Sequence, residues 1–273
     1  MNLKLSEIFI YPIKSLGGIS LNRGFVELRG LQYDRRMMLV DQDGKFLTQR
    51  TYPQMALLKT SINDDTLVIR DSRNNDSISI SLLQSSLMDT ANEKIKVVIW
   101  DDICSALKIS KESDQFFSDT LGIKCSLVYM PDDENRLVDP KKKYIKDEHA
   151  VSFADGYPFL IIGQASLDDL NERLIEHLPM NRFRPNFVFT GGNPFEEDNW
   201  DDFLIGNVKF KAVKPCDRCV ITTTDQNTAE RNEEPLRTLA TFRKKGNKVL
   251  FGMNLVCKST GVVSVGDFVR QIT

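Results

Sequence analysis

Cys216 and Cys219 stand three positions apart in Lys214-Pro215-Cys216-Asp217-Arg218-Cys219-Val220-Ile221-Thr222-Thr223-Thr224-Asp225, a spacing that suits a metal or a redox pair. A structural zinc site needs four ligands, usually two such pairs or one pair with two histidines. The other cysteines, Cys104, Cys125 and Cys257, are scattered singly, and His149 and His177 are not at finger spacing. Zinc would therefore need ligands assembled from distant parts of the chain. A thioredoxin-like dithiol places its first cysteine at a helix N-terminus, where the dipole lowers the thiol pKa. The β-branched run after Cys219 instead predicts a strand over 220–224. Two readings stay open on this chemistry: a thiolate that holds a soft metal, or a pair of buried small hydrophobes.

The elements that must position this segment are mostly strands. Over the first hundred residues, strand-like runs at 3–12, 37–41, 45–49, 57–62, 66–69, 77–82 and 95–100 alternate with turn residues. Gln42-Asp43-Gly44 marks a hairpin, because glycine tolerates the positive φ that such turns need. A short helix is expected over 112–121, with Gly122 where a C-terminal cap falls. A strand over 124–130 follows, then a long charged stretch over 131–147 that reads as a solvated connection. The clearest helical stripe is Leu167, Leu170, Leu174, Ile175 and Leu178, predicting a helix over 166–178 capped by Ser166, with His177 near its C-terminal end. Further strands are expected over 186–190, 208–213 and 249–256, and a helix over 236–244 after Pro235.

Composition describes an ordinary globular protein. Of 273 residues, 41% are hydrophobic and 27% charged, and the net charge of −2 gives no electrostatic reason to bind nucleic acid. Five cysteines without a dense framework suit a reducing compartment. The N-terminus becomes strand-like from Leu3 without a basic region feeding a long apolar one, so no secretory leader is expected. No apolar run approaches the roughly 20 residues that cross a bilayer. The expectation is a cytoplasmic protein that uses no membrane.

The motif around Cys219, with Glu234-Pro235-Leu236-Arg237-Thr238-Leu239 and Phe242-Arg243, resembles the MOSC (molybdenum cofactor sulfurase C-terminal) domain. The branch it looks most like contains the mitochondrial amidoxime-reducing component and its bacterial relatives. Further blocks follow in family order. They are Ile10-Tyr11-Pro12-Ile13-Lys14-Ser15, Asp34-Arg35, Met37-Met38-Leu39-Val40-Asp41, Ser152-Phe153-Ala154-Asp155-Gly156-Tyr157-Pro158-Phe159, Ala165-Ser166-Leu167-Asp168-Asp169-Leu170-Asn171, Phe183-Arg184-Pro185-Asn186, Trp200, Ile205-Gly206 and Val265-Gly266-Asp267. Together they span almost the whole chain.

The resemblance implies a fold that is mainly β with a few helices (α+β): an N-terminal MOSC-associated β-rich domain over 1–122, then a MOSC β-barrel domain over 123–273. It implies a molybdenum cofactor, a Mo-pyranopterin dithiolene, with Cys219 as metal ligand and catalytic centre and Cys216 as a neighbour. Lys14, Ser15, Arg35, Arg184 and Asn186 would bind the cofactor and its phosphate, for which arginine offers a bidentate fork. The branch commonly carries hydroxyl side chains before Pro158; here Gly156-Tyr157 stands there, so contact would come from backbone N–H groups or the Tyr157 phenol. Thr223 is a candidate donor to the pterin or the thiolate.

The implied activity is reduction of N-hydroxylated or other N-oxygenated small molecules. The alternative is a cofactor carrier or sulfur-transfer module with Cys219 as sulfur carrier. Neither G-x-G-x-x-G nor a P-loop is present, so no NAD site is expected. No ferredoxin cysteine pattern precedes Thr273, so no iron–sulfur cluster is expected in this chain, and no pyridoxal phosphate domain is identifiable. Electrons would come from a separate ferredoxin-, cytochrome b5- or flavoprotein-type partner.

Overall fold

Strands from both ends of the chain build the largest sheet of the computed structural model, which describes residues 2–87, 93–138 and 147–272. Leu3–Ile10 buries Leu3, Leu5, Ile8 and Ile10. A bulge between Leu5 and Glu7 lets Leu5 and Ile8, an odd number of residues apart, face the same interior. This strand pairs antiparallel with Phe187–Thr190 on one side and Phe268–Gln271 on the other. The order continues through Asp202–Ile205, Val208–Asp217 and Lys248–Cys257, which returns to Phe159–Gly163. Phe159–Gly163 lies parallel to Phe187–Thr190 and completes the ring. Closure removes the open edges at which sheets aggregate.

Aromatic rings fill the barrel. Phe159, Phe187, Phe203 and Phe210 are buried, with neighbouring centroids 5.5 to 5.7 Å apart in stacked and edge-on pairs. Beside the barrel, Met37–Val40, Ser126–Tyr129, Asp102–Lys108 and Lys94–Ile99 form a four-stranded antiparallel sheet. Leu58–Asn63, Thr66–Asp71 and Ser77–Ser81 form a meander. The sheets interleave along the chain, since the first strand is a barrel stave while Ser126–Tyr129 joins the four-stranded sheet. The fold is mainly β with short helices, as the residue pattern predicts.

Local chemistry explains where the expected elements hold. The helix Lys111–Leu121 starts at Ser110, whose Oγ accepts from Ser113 N at 3.0 Å, and ends on Gly122 at φ +69°. The 41–44 turn forms with Gly44 at φ +76° and Asp41 Oδ1 accepting from Asp43 N and Lys45 N.

Other expectations fail. The strand expected over 45–49 is reduced to two single bridges, Lys45 to Val98 and Phe46 to Val40. The helix expected over 166–178 is Gln164–Asn171, and Ile175 is fully exposed. Asn171 ends it, accepting from Leu178 N at 2.8 Å and donating to Leu178 O at 3.1 Å. Ser166 is no cap: its hydroxyl donates to buried Glu197 and accepts from Phe195 N, and His177 lies beyond the helix. The strand expected over 220–224 is instead the 3-10 turn Val220–Thr223, because Thr222 and Thr223 hydroxyls donate to the carbonyls of Cys219 and Val220, both at 2.9 Å.

The stretch over 131–147 is partly outside the described residues. Within its described part Arg136 is buried, so it is no plain solvated connection there. Among the described residues no helix is long and apolar enough to cross a membrane.

Candidate functional site

Cys219 is placed by the end of a barrel strand. Val208–Asp217 loses register against Lys248–Cys257 between Ala212 and Lys214 and again between Pro215 and Asp217. Pro215 has no N–H for the ladder, so the strand loosens there. Arg218 N still donates to Val249 O at 2.8 Å, and Cys219 then stands extended, at φ −125° and ψ 178°, before the 3-10 turn. Its side chain is half-buried, and all five cysteines are free thiols.

The thiol opens on a cleft of about 480 Å³. Of the residues nominated from the sequence, Lys14, Ser15, Arg35, Tyr157, Arg184, Asn186 and Cys219 line this cleft and Thr223 does not. Lys14, Arg35, Arg50, Arg184, Lys214 and Arg218 supply six cations, against the three carboxylates of Asp101, Asp155 and Asp217. An anion is the natural occupant of such a charge balance.

Two of these arginines flank one ring. The guanidinium carbons of Arg35 and Arg184 lie 4.3 and 4.1 Å from the Tyr11 centroid, and the Tyr11 hydroxyl donates to Pro185 O at 3.1 Å. Burial pushes the Tyr11 phenol up to about 12, against the pull of both arginines, so it stays neutral. Arg35 is tied to Asp34 at 2.7 Å; burial opposes its charge, but Asp34 together with Tyr11 and Asp155 raises its pKa.

Arg184 differs. Its Nη2 is buried with no hydrogen-bond partner among the described residues, and burial lowers its pKa to about 10, with Arg35 adding repulsion. A buried cationic donor without an acceptor is costly unless a ligand completes it. Ser15 and Arg35 also sit at φ +68° and +48°, and Arg184 at +54°, left-handed backbone that non-glycine residues adopt under constraint.

The cleft's third centre is Asp155, which takes Lys14 and Trp100 Nε1 (3.2 Å) on one oxygen and Arg50 (2.7 Å) on the other. Burial alone would raise the Asp155 pKa, but Lys14 and Arg50 hold it far below the usual carboxylate range. Its side chain is 47% exposed, so solvent screening reduces what these pairs contribute to stability. Burial brings Lys14 down to about 8, partly offset by Asp155. Arg50 lines the same cleft as Cys219; burial opposes its charge, while Asp155 and Cys219 favour it. Buried Arg136 fixes the Asp155 loop by donating to the carbonyls of Ser152, Ala154 and Asp155.

The nominated residues do different work. Asn186 spends its side chain inside the protein, accepting from Leu160 N and Arg35 and donating to Phe9 O, so it positions Arg35. Tyr157 is buried at the cleft wall, with Lys214 Nζ 5.8 Å from its ring centroid. Thr223 is buried and bonded to Val220 O, so it does not serve as the expected donor; Thr222 lines the cleft instead.

Arg50, Trp100, Asp155 and Arg218 were not legible as site residues. Asp155 carried the best signal, a lone carboxylate in an otherwise apolar block. Arg218, between the two cysteines, donates to Cys216 Sγ at 3.1 Å and Phe183 O at 2.6 Å.

Comparison with known proteins matches residues 2–124 to the MOSC N-terminal beta barrel domain and residues 148–270 to the MOSC domain. Mitochondrial amidoxime-reducing component 1 of Mus musculus is 30% identical over 96% of this chain and 80% of its own length. Mitochondrial amidoxime reducing component 2 of Bos taurus is 31% identical, over 98% and 83%. Molybdenum cofactor sulfurase of Arabidopsis thaliana is 32% identical over 91% of this chain but only 32% of its own length.

Proposed function

The chain belongs to the MOSC domain family, in the branch of the mitochondrial amidoxime-reducing components, and from that premise we propose that it is a molybdenum-cofactor oxidoreductase acting on N-hydroxylated and related N-oxygenated small molecules. Its relatives tie it to the molybdenum cofactor. The observation that carries the finer reading is the meeting of Cys219 with Lys14, Arg35 and Arg184 in one cleft, with Arg184 Nη2 still lacking an acceptor.

The donor set fits the cofactor. A thiolate is a soft, electron-rich ligand for the metal, and the guanidinium forks suit a terminal phosphate. Among the described residues no three His, Cys, Asp or Glu side chains converge, and Cys219 is the residue that would hold the metal of the bound cofactor. When bound, the cofactor supplies a two-electron centre that accepts the substrate oxygen.

The protein's part is placement. Cys219 anchors the metal end, while Lys14, Ser15, Arg35 and Arg184 grip the anionic end. Asn186 and Tyr11 hold the arginines in register, and Asp155 keeps Lys14 and Arg50 fixed and charged at neutral pH. Overall, an N–O bond breaks, two electrons arrive from a separate electron-donor protein, and the oxygen leaves as water with two protons. Five free cysteines suit a reducing compartment, and we place the protein in the cytoplasm.

The test is purification with the cofactor followed by an assay of benzamidoxime with an artificial reductant. Benzamidine should form, and Cys219→Ser should abolish it; no turnover at full molybdenum loading would sink the reading. The sulfurase relative supports a second one, in which Cys219 carries sulfur. A stable persulfide on Cys219 in molybdenum-free protein, seen by mass spectrometry, would favour it.

A further inference from the structure

Trp100 occupies a position that the fold alone would give to another residue. Ile99 pairs with Asp102, so Trp100 and Asp101 form a two-residue hairpin turn. Trp100 has φ +56°, and glycine or asparagine is usual at such a turn position. A bulky indole there carries backbone strain. The residue is also 46% exposed and lies at the wall of the cleft.

The strained ring is nevertheless held firmly. Its Nε1 donates to Asp155 Oδ1 at 3.2 Å, the Arg50 guanidinium carbon lies 4.7 Å from its centroid, and Phe46 packs at 5.1 Å with planes tilted by 58°. These three neighbours come from two segments of the chain, Phe46 and Arg50 from one and Asp155 from the other. Trp100 borders the cleft that holds Cys219, and Arg50, which packs on the indole, lines that same cleft. The part of the indole that Arg50 and Phe46 leave uncovered is therefore fixed at the wall of the cleft that holds Cys219.

We propose that Trp100, braced by Arg50 and Asp155, is the specificity-determining residue of the cleft: a stacking seat that favours planar, conjugated N-oxygenated substrates over compact ones. Resting on the reductase reading above, the proposal adds the residue that selects among its substrates. A conjugated amidoxime lays its π-face on the indole and points its N–O group along Arg50 toward Cys219. Hydroxylamine offers no π-face and gains nothing from the ring. Aromatic stacking thus enters the difference between the two substrates and leaves the shared N–O chemistry alone.

Two variants separate stacking from a merely structural role. Trp100→Gly removes the ring and relieves the turn, so the protein should still fold. Trp100→Phe keeps a stacking face but loses the bond to Asp155. The measurement is the ratio of kcat/KM for benzamidoxime to kcat/KM for hydroxylamine in loaded enzyme with an artificial reductant.

The ratio should fall about tenfold in Trp100→Gly, roughly the effect of one lost ring contact, and return to within about threefold of wild type in Trp100→Phe. Equal losses on both substrates, or no rescue by phenylalanine, would overturn the seat. A second readout needs no turnover: fluorescence of loaded protein titrated with benzamidoxime in the absence of reductant. The chain has two tryptophans, and Trp200 is 5% exposed and packed on Phe189 and Phe203. Saturable quenching that disappears in Trp100→Phe supports the seat, and absence of saturable quenching contradicts it.

The two readings fail separately. Saturable quenching without turnover of either substrate keeps the seat and removes the reductase. Turnover of both with an unmoved ratio keeps the reductase and removes the seat.

Discussion

The barrel interior and the cleft follow opposite rules for the same backbone problem. Where a barrel strand must turn to positive φ, it uses glycine: Gly252 sits at +76°, and a Cβ there would come within 2.6 Å of Ile162 Cγ1 and 3.0 Å of Ile161 O. The cleft instead places Ser15, Arg35, Trp100 and Arg184 at positive φ, and none of the nine such non-glycine residues among those described lies in a barrel strand. The barrel buries rings against rings, whereas the cleft buries cations and leaves two arginine donors, Arg184 Nη2 and Arg218 Nε, unmatched among the described residues. One region is built for stability and the other keeps specific side chains at a cost in strain.

That contrast is sharpest at its two extremes. Cys219→Ser should remove more activity than the roughly 10–100-fold that losing an outer-shell metal partner costs, with little change in thermal midpoint. A large drop in midpoint instead would make Cys219 part of the packed frame. Phe187→Ala, in the barrel, should do the reverse and cost about 3–5 kcal/mol in chemical denaturation. Gly252→Ala should cost about 2 kcal/mol from strain and contact with Ile161 and Ile162. A neutral outcome would remove the geometric reason for glycine there.

A subtler effect lies in pH. Lys14 has a folded pKa of about 8, below its ordinary 10.5, because it is buried, with Arg136 and Arg50 adding to the fall and Asp155 partly offsetting it. Between those values the unfolded chain binds more protons than the folded one, so this residue makes stability rise with pH. Tyr11 acts in the opposite sense above its ordinary 10.0, and the buried thiols Cys104, Cys125 and Cys257, pushed up from 9.0 to about 11, do so from about pH 9, so the Lys14 contribution over pH 8 to 10 is read as a difference from a variant that keeps all four groups. Wild type should gain stability across that range relative to Lys14→Met, measured by denaturant titration at each pH; parallel curves would show that Lys14 is not held as described. The smallest effect is Trp100→Gly, which should stabilise the chain by about 1 kcal/mol as the turn relaxes. A loss of that size would mean that the ring's contacts outweigh its strain.

What the sequence reveals follows the range of the forces involved. Gly122 and the 41–44 turn were legible because a cap and a hairpin are settled by a few neighbouring residues. The site residues Lys14, Ser15, Arg35, Arg184, Asn186 and Cys219 were legible through the order of their family blocks, although their spacing in the chain gives no hint that they share one cleft. The helix after Gln164 was overextended because Leu174 and Ile175 continue the apolar stripe, while Asn171 clasps Leu178 through its side chain. Val220–Thr223 was misread because β-branching favours strand and the hydroxyl bonds that bend it are invisible in propensity. Arg50 and Trp100 matter only through partners far along the chain, Asp155 and Cys219, and no local pattern marks such meetings.

The sulfur environment of molybdenum in the loaded protein, measured by X-ray absorption for wild type and Cys219→Ser at matched metal content, addresses the ligand directly. The cleft geometry predicts one fewer sulfur neighbour in the variant, with Cys216→Ser leaving the count unchanged. An identical sulfur count in wild type and Cys219→Ser would contradict the assignment of Cys219 as the protein's hold on the metal.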